Sequence, residues 1–120
     1  MPKKILVLDD DPNIRKAVKL LLEGEGFKVG TAQDWQECLD KLEKEKPDLI
    51  LLDILMPTIV GISALRLLRE SHPQSKVIML SVLSTKIYKQ LADELGAADF
   101  ITKPFDNKDL VQRVKRVVGQ

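Results

Sequence analysis

The sequence predicts a single α/β domain over residues 1–120, built on a doubly wound sheet of five parallel strands in the order 2-1-3-4-5. Strand-like segments alternate five times with amphipathic helical segments, and the connections are short. Three strands are continuous apolar runs, which are typical of central parallel strands covered by helices on both faces. The second and fifth strands are less continuously apolar and belong at the edges of the sheet. The order 2-1-3-4-5 places these two strands at the edges and the three apolar strands at the centre.

The elements follow from the spacing of apolar residues. The predicted strands cover residues 5–8, 27–31, 49–52, 77–80 and 100–102, and the helical stripes between them cover residues 14–22, 35–42, 62–68, 87–95 and 110–118. Asp11 and Asp34 are the expected N-caps of the first two helices. Gly61 marks a turn before the third helix. The fourth helix has Ile87 on its apolar stripe and ends at Gly96.

Composition excludes several classes of function. Lys and Arg total 19 against 18 Asp and Glu, so the net charge of +1 gives no basic field for nucleic acid or an anionic membrane. One Cys and one His exclude an intramolecular disulfide and a usual zinc site, and we expect Cys38 to be a small buried hydrophobe. No apolar run approaches the ~18 residues of a membrane span, and we expect no signal peptide, because only four apolar residues follow Met1-Pro2-Lys3-Lys4. We expect a cytoplasmic protein.

Four strands end on polar residues at the same edge of the predicted sheet. The residues are Asp9 and Asp10, Asp53, Ser81 and Lys103. Each alone has a simple structural explanation as a helix cap, a turn residue or a solvated charge. Together they lie where open α/β sheets bind ligands. Converging carboxylates repel one another unless a hard divalent cation binds them, and Mg²⁺ suits an all-oxygen ligand set.

The same residues make up an apparatus for moving a phosphoryl group onto an aspartate. Asp53 ends a strand buried on both faces, so it is the predicted nucleophile. Lys103 supplies a fixed positive charge for a phosphoryl oxygen, and Ser81 supplies a hydroxyl donor. Mg²⁺ would neutralise the charge of the incoming group.

On these residues the chain resembles, over its whole length, the response-regulator receiver domains of two-component signalling, whose fold is called flavodoxin-like or CheY-like. The motifs that carry the resemblance are ILVLDDD at 5–11, LLDILMP at 51–57, VIMLS at 77–81 and KPF at 103–105. By this resemblance Asp53 accepts a phosphoryl group from a phosphohistidine on a sensor histidine kinase or phosphotransfer protein. Such a domain supports its own phosphorylation and slow autodephosphorylation without being a classical enzyme.

The resemblance also implies a role for each of the other site residues. Asp10 would bind Mg²⁺ directly and Asp9 largely through water, with further ligands from Asp53 and the backbone carbonyl of Leu55. Ser81 matches the switch hydroxyl that moves onto the phosphoryl group. Phe100 matches the aromatic residue that swings inward with it. Lys103 matches the phosphate-binding lysine and precedes an expected cis peptide bond to Pro104.

The expected readout surface is the fourth helix, fifth strand and fifth helix. It would contact an effector domain, a downstream protein or a second copy of the chain in a homodimer, with no direct contact to nucleic acid or membrane. We expect no effector domain within these 120 residues, and a stand-alone domain and a piece of a larger regulator would have the same sequence here. The expected exposed contacts are Lys86, Tyr88, Lys89, Arg113 and Arg116.

Some positions depart from the family pattern. Val60 replaces the usual acid before Gly61, and Val82 replaces a usual small residue after Ser81, which narrows access to Asp53. Leu55 and Leu83 replace polar groups near the attacking water. We hypothesise that the aspartyl phosphate is therefore long-lived for its class.

Two other functions remain open at this stage. Asp9-Asp10-Asp11 contains the Asp-x-Asp spacing of haloacid-dehalogenase-type phosphatases, in which Asp9 would be the nucleophile. A receiver-like interaction module that is never phosphorylated is the second alternative. Labelling of Asp53 or of Asp9 by a phosphoryl group or its beryllofluoride mimic separates these functions.

Overall fold

The computed structural model describes residues 2–53, 61–83 and 85–119 of the chain. Strands and helices alternate throughout these residues. The elements are β1 (Lys4–Leu8), α1 (Pro12–Gly24), β2 (Lys28–Ala32), α2 (Trp35–Glu45), β3 (Leu49–Leu52), α3 (Gly61–Ser71), β4 (Lys76–Ser81), α4 (Lys86–Glu94), β5 (Asp99–Thr102) and α5 (Asn107–Val118).

The strands form one parallel sheet in the order β2-β1-β3-β4-β5, which confirms the predicted fold class. In β1, Ile5 is in register with Val29 on one side and with Leu49 on the other. All four residues of β3 are buried, as expected for a strand covered on both faces. Because every strand runs the same way, their carboxyl ends meet along one edge of the sheet.

The alternation of side chains along the strands divides the core into two layers. Leu6 and Leu8 of β1 pack with buried residues of α2, α3 and α4. Ile5 and Val7 point to the opposite face and pack with α1 and α5. The two layers hold the sheet rigid, so that the residues following each strand have fixed positions.

The predicted helix caps are confirmed. The Asp11 side chain accepts a hydrogen bond of 2.8 Å from the Asn13 N–H at the start of α1, and Asp34 accepts one of 2.9 Å from the Glu37 N–H at the start of α2. After α4, Gly96 adopts a φ of +95°, with the Arg69 side chain against it. A side chain at Gly96 would meet both backbone strain and this close contact.

Cys38 is buried, as predicted for a small hydrophobe. Burial in apolar surroundings raises the pKa of its thiol to about 12. None of the helices in the described ranges has the length and apolar character needed to cross a membrane.

Predictions about three individual residues are wrong. Gly61 does not form a turn, because it is the buried first residue of α3. Ile87 does not join the core, because 76% of it is exposed. Ala92 and Leu95 pack inward as predicted, and Tyr88, which was expected on the exposed surface, is half-buried and packs against the core with them. Successive helical residues differ by about 100° in direction, so Ile87 points away from this stripe.

Candidate functional site

The loop after β1 places Asp9 at the centre of the carboxyl edge of the sheet. Only 1% of Asp9 is exposed. Its N–H donates to the Ala32 carbonyl of β2 at 3.3 Å, which continues the strand pairing by one residue. Its carboxylate Oδ1 accepts the Asp11 N–H at 2.9 Å, and its carbonyl accepts the Arg15 guanidinium at 2.7 Å. Asp9 is therefore fixed through both its backbone and its side chain.

Asp53 follows β3 directly and lies beside Asp9. Its N–H donates to the Leu8 carbonyl at 3.0 Å, and 4% of the residue is exposed. Carboxylate oxygens of Asp9, Asp10 and Asp53 all lie within 4.8 Å of one another, with Asp10 the exposed member. The predicted convergence of these three residues is present.

Lys103, which follows β5, reaches into this group of carboxylates. Its Nζ lies 2.6 Å from Asp9 Oδ2 and 3.6 Å from Asp53 Oδ2. Its backbone N–H donates to the Ser81 carbonyl at 2.9 Å, and its peptide bond to Pro104 is cis, as expected. The ammonium group is thus paired most closely with Asp9.

Ser81 ends β4 and is fully buried. Its Oγ accepts a hydrogen bond of 3.0 Å from the Leu83 N–H, so the hydroxyl oxygen is engaged with its own loop. Val82, between them, is 55% exposed.

Phe100 lies on the edge strand β5 and is half-buried against the core layer formed with α2, α3 and α4. The Lys89 Nζ of α4 lies 5.9 Å from the centroid of its ring, at the outer limit of a cation–π contact. The ring therefore links the core to the outer surface of α4.

A network of charged side chains covers the outer surface of β5 and α5. Arg113 Nη1 donates to Asp99 Oδ1 at 2.7 Å, and Arg113 Nε donates to Asp109 Oδ2 at 3.0 Å. These contacts raise the pKa of the Arg113 guanidinium, and the hydrogen bond to Asp99 contributes most. Asp99 Oδ1 also accepts the Phe100 N–H at 2.7 Å, so this network is attached to the Phe100 backbone.

The donor atoms at the edge of the sheet fit a hard divalent cation. Three carboxylates share one small volume with a single ammonium group, and every candidate ligand atom is oxygen. Mg²⁺ prefers such oxygens and leaves room for water and substrate oxygens. Asp9, Asp10 and Asp53 are the residues able to hold it.

Most of the residues predicted from the sequence are brought together here. Leu55 and Val60 lie outside the described residues. Sequence reasoning missed Arg15, whose side chain binds the Asp9 carbonyl. The available signal was its position four residues after the Asp11 cap, which places it one helical turn above the loop.

A buried carboxylate close to a lysine and two further carboxylates lies at the reversal of strand order in a doubly wound sheet, where ligands bind in such folds. Comparison with known proteins assigns the class. The family model of the response regulator receiver domain matches residues 5–115. This chain belongs to the response-regulator receiver domain family.

Individual relatives agree with this assignment. The alkaline phosphatase synthesis transcriptional regulatory protein PhoP of Bacillus subtilis is 42% identical over 118 residues, which are 98% of this chain and 49% of PhoP. The transcriptional regulatory protein CpxR of Escherichia coli is 43% identical over 115 residues, covering 96% of this chain and 49% of CpxR. The chain therefore spans about half the length of these relatives.

Solved receiver structures share the whole fold. The beryllofluoride-activated receiver domain of DrrB, an OmpR/PhoB homologue of Thermotoga maritima, superimposes with a TM-score of 0.91 at 34% identity, covering 100% of both chains.

Proposed function

We propose that this receiver domain is a phosphoacceptor in which Asp53 takes a phosphoryl group from a phosphohistidine of a sensor histidine kinase or phosphotransfer protein. The observation that carries the proposal is the position of Lys103 Nζ, 2.6 Å from Asp9 and 3.6 Å from Asp53, within a group of carboxylates that fits Mg²⁺. A buried lysine between two carboxylates provides a positive charge where an incoming phosphoryl oxygen needs one.

The transfer breaks one bond and forms one. An Asp53 carboxylate oxygen attacks phosphorus in line with the P–N bond of the phosphohistidine, and the electron pair of that bond stays on the imidazole nitrogen, which takes up a proton. The products are an acyl phosphate on Asp53 and a neutral histidine. Asp10, Asp53 and the expected Leu55 carbonyl would hold Mg²⁺ directly and Asp9 largely through water, and the bound ion would supply charge neutralisation.

Lys103 and Ser81 respond to the new dianion. We infer that the Lys103 ammonium turns from Asp9 toward a phosphoryl oxygen, a short movement given that Asp53 Oδ2 already lies 3.6 Å away. The Ser81 hydroxyl exchanges its bond with the Leu83 N–H for donation to another phosphoryl oxygen. These contacts are absent before phosphorylation, so they provide the differential free energy that a two-state switch requires.

The output surface is α4, β5 and α5, reached through Phe100. Movement of Ser81 allows the Phe100 ring to turn inward, which removes its contact with Lys89. The adjoining pairs of Arg113 with Asp99 and Asp109 offer complementary charges. These can serve a homodimer, a downstream protein or an effector domain such as longer transcriptional regulators have.

The same proposal places the protein in the cytoplasm, where the single buried thiol of Cys38 stays reduced. Direct nucleic-acid binding by this domain forms no part of the proposal, since the net charge is +1. The proposal also includes slow loss of the phosphoryl group, because Leu55 and Leu83 are apolar where polar groups would orient the attacking water.

Incubation with Mg²⁺ and acetyl phosphate, followed by intact mass, tests the proposal. We expect one added phosphoryl group, which disappears in Asp53→Asn and when the metal is chelated. A label that remains in Asp53→Asn and maps to Asp9 would instead indicate a haloacid-dehalogenase-type phosphatase. Asp9 is poorly placed for that role, because both carboxylate oxygens are engaged and 1% of the residue is exposed. Absence of any label would favour a module that is never phosphorylated.

A further inference from the structure

We propose that Arg15 is a positioning residue for the metal site, which holds the peptide between Asp9 and Asp10 so that the Asp10 carboxylate faces the other two. This inference deepens the proposed function and rests on it. Arg15 lies on α1, and it is not one of the three residues whose carboxylates would bind the ion. Its effect would pass through the backbone of the loop.

Arg15 is attached to this loop at two points. Its backbone N–H donates to the Asp11 carbonyl at 3.1 Å, in the first turn of α1. Its Nη1 reaches past that turn to the Asp9 carbonyl at 2.7 Å, the short distance of a charge-assisted hydrogen bond. The Asp9 carbonyl and the Asp10 N–H belong to the same planar peptide. Fixing one end of this peptide therefore fixes the direction in which the Asp10 residue starts.

Asp10 needs this support more than its neighbours do. The Asp9 carboxylate is held by Lys103 and by the Asp11 N–H, and the Asp11 carboxylate is held by the Asn13 N–H. Within the described part of the chain, the exposed Asp10 carboxylate makes no hydrogen bond or ion pair of its own. Its position depends on the backbone that carries it.

The charge of Arg15 would act in the opposite direction. A guanidinium close to the site repels a divalent cation, so removal of the charge alone would strengthen Mg²⁺ binding. If the guanidinium holds the loop in place, its removal weakens binding, as loss of groups that orient metal ligands does. The sign of the change in Mg²⁺ affinity therefore separates positioning from simple electrostatics.

The test is a Mg²⁺ titration of the full chain, followed by the backbone amide signals of the site in ¹⁵N–¹H spectra. Arg15→Met removes the bond and the charge, whereas Arg15→Lys keeps a charged donor. Lys16→Met is the matched control, because Lys16 is an exposed neighbour on α1 with no bond to the loop. We expect the Mg²⁺ dissociation constant to rise about tenfold in Arg15→Met, at the low end of effects from such supporting residues. Lys16→Met should stay near the wild type.

A second measurement separates positioning from general damage. In Arg15→Met, the Mg²⁺ concentration that gives half the maximal rate of phosphorylation by acetyl phosphate should rise, while the rate at saturating Mg²⁺ stays near the wild-type value. Arg15→Lys, which keeps a donor for the Asp9 carbonyl, should recover most of the affinity and guards against misfolding of the methionine variant.

Equal or tighter Mg²⁺ binding by Arg15→Met than by Lys16→Met, in a wild type that binds Mg²⁺ and accepts one phosphoryl group, overturns this inference and leaves the proposed function intact. A wild type that takes up neither Mg²⁺ nor a phosphoryl group overturns both.

Discussion

Lys103 Nζ lies 2.6 Å from Asp9 Oδ2, whereas Asp53 Oδ2 lies 3.6 Å from the same nitrogen. The lysine that is expected to serve the phosphoryl group is thus held by Asp9, which follows β1, the neighbour of the β3 strand that precedes Asp53. Asp9 is 1% exposed and the Lys103 side chain 12% exposed, so this pair is largely removed from water. The stability of the fold and the availability of Lys103 to a new anion therefore depend on the same ion pair.

Lys103→Met should lower the free energy of unfolding by about 3 kcal/mol, because it leaves the buried Asp9 carboxylate without its cation. Urea denaturation without Mg²⁺ measures this change. Lys108→Met, at an exposed lysine of α5, is the control and should remain within about 0.5 kcal/mol of the wild type. Equal stability of the two variants would show that Asp9 does not depend on Lys103.

Asp53→Asn should raise the free energy of unfolding by about 1 kcal/mol in the absence of divalent ions, because it removes one charge from three crowded carboxylates. The gain should vanish at saturating Mg²⁺, which binds the wild type more tightly than the variant. Thermal unfolding with and without Mg²⁺ provides the comparison. A destabilised variant would mean that the contact of Asp53 with Lys103 outweighs the repulsion.

Ile87→Ser should change the free energy of unfolding by no more than about 0.5 kcal/mol, since the side chain faces solvent. Leu65→Ala, at a buried residue of α3, should cost about 3 kcal/mol in the same assay. If the proposed readout surface forms a homodimer, Ile87→Ser should also weaken self-association of the phosphorylated protein, measured by sedimentation. A large loss of stability in Ile87→Ser would show that Ile87 packs in the core.

Combining Leu55→Asn with Leu83→Glu should speed loss of the aspartyl phosphate severalfold, because polar groups near Asp53 would orient the attacking water. Decay of the phosphorylated protein after removal of the donor, followed by intact mass, measures the effect. Lys16→Met, at an exposed residue of α1, should decay at the wild-type rate. An unchanged rate in the double variant contradicts the hypothesis of a long-lived phosphate.

We expect the free energy of unfolding to fall as pH rises from about 9 to about 12, because burial raises the pKa of the Cys38 thiol from 9.0 to about 12. Between these values the unfolded chain loses the thiol proton while the native protein keeps it, so unfolding is favoured by up to about 1.4 kcal/mol per pH unit. Below pH 9 the contribution is fully present. Cys38→Ala should show a shallower alkaline loss in urea titrations, and an identical slope would contradict the assignment.

The strands and their order could be predicted from the sequence, because burial on both faces demands uninterrupted apolar runs such as that of β3. The polar residues that follow β1, β3, β4 and β5 then had to meet at one edge. Motif resemblance added the expected roles of Asp10 as a direct Mg²⁺ ligand, of Ser81 as the switch hydroxyl and of Phe100 as the aromatic that moves with it, which the strand pattern alone does not predict.

The phase of α4 could not be obtained in the same way. Ile87, Tyr88, Leu91, Ala92 and Leu95 allow two overlapping apolar stripes, and hydrophobicity alone favours the larger Ile87. Contacts with the core layer select Tyr88, Ala92 and Leu95. In a helix as short as α4, hydrophobic periodicity cannot distinguish two apolar stripes that are offset by one residue.

Local apolar patterns are sufficient to predict that Asp53 ends a buried strand and that acids, a hydroxyl and a lysine end other strands of the same sheet. Which of these residues are in contact depends on how the elements pack. Lys103 and Asp9 are separated by 94 positions, and Arg15 reaches the Asp9 carbonyl across the first turn of α1. Such contacts depend on differences of about an ångström between alternative partners, which arise from packing and cannot be read from residue order.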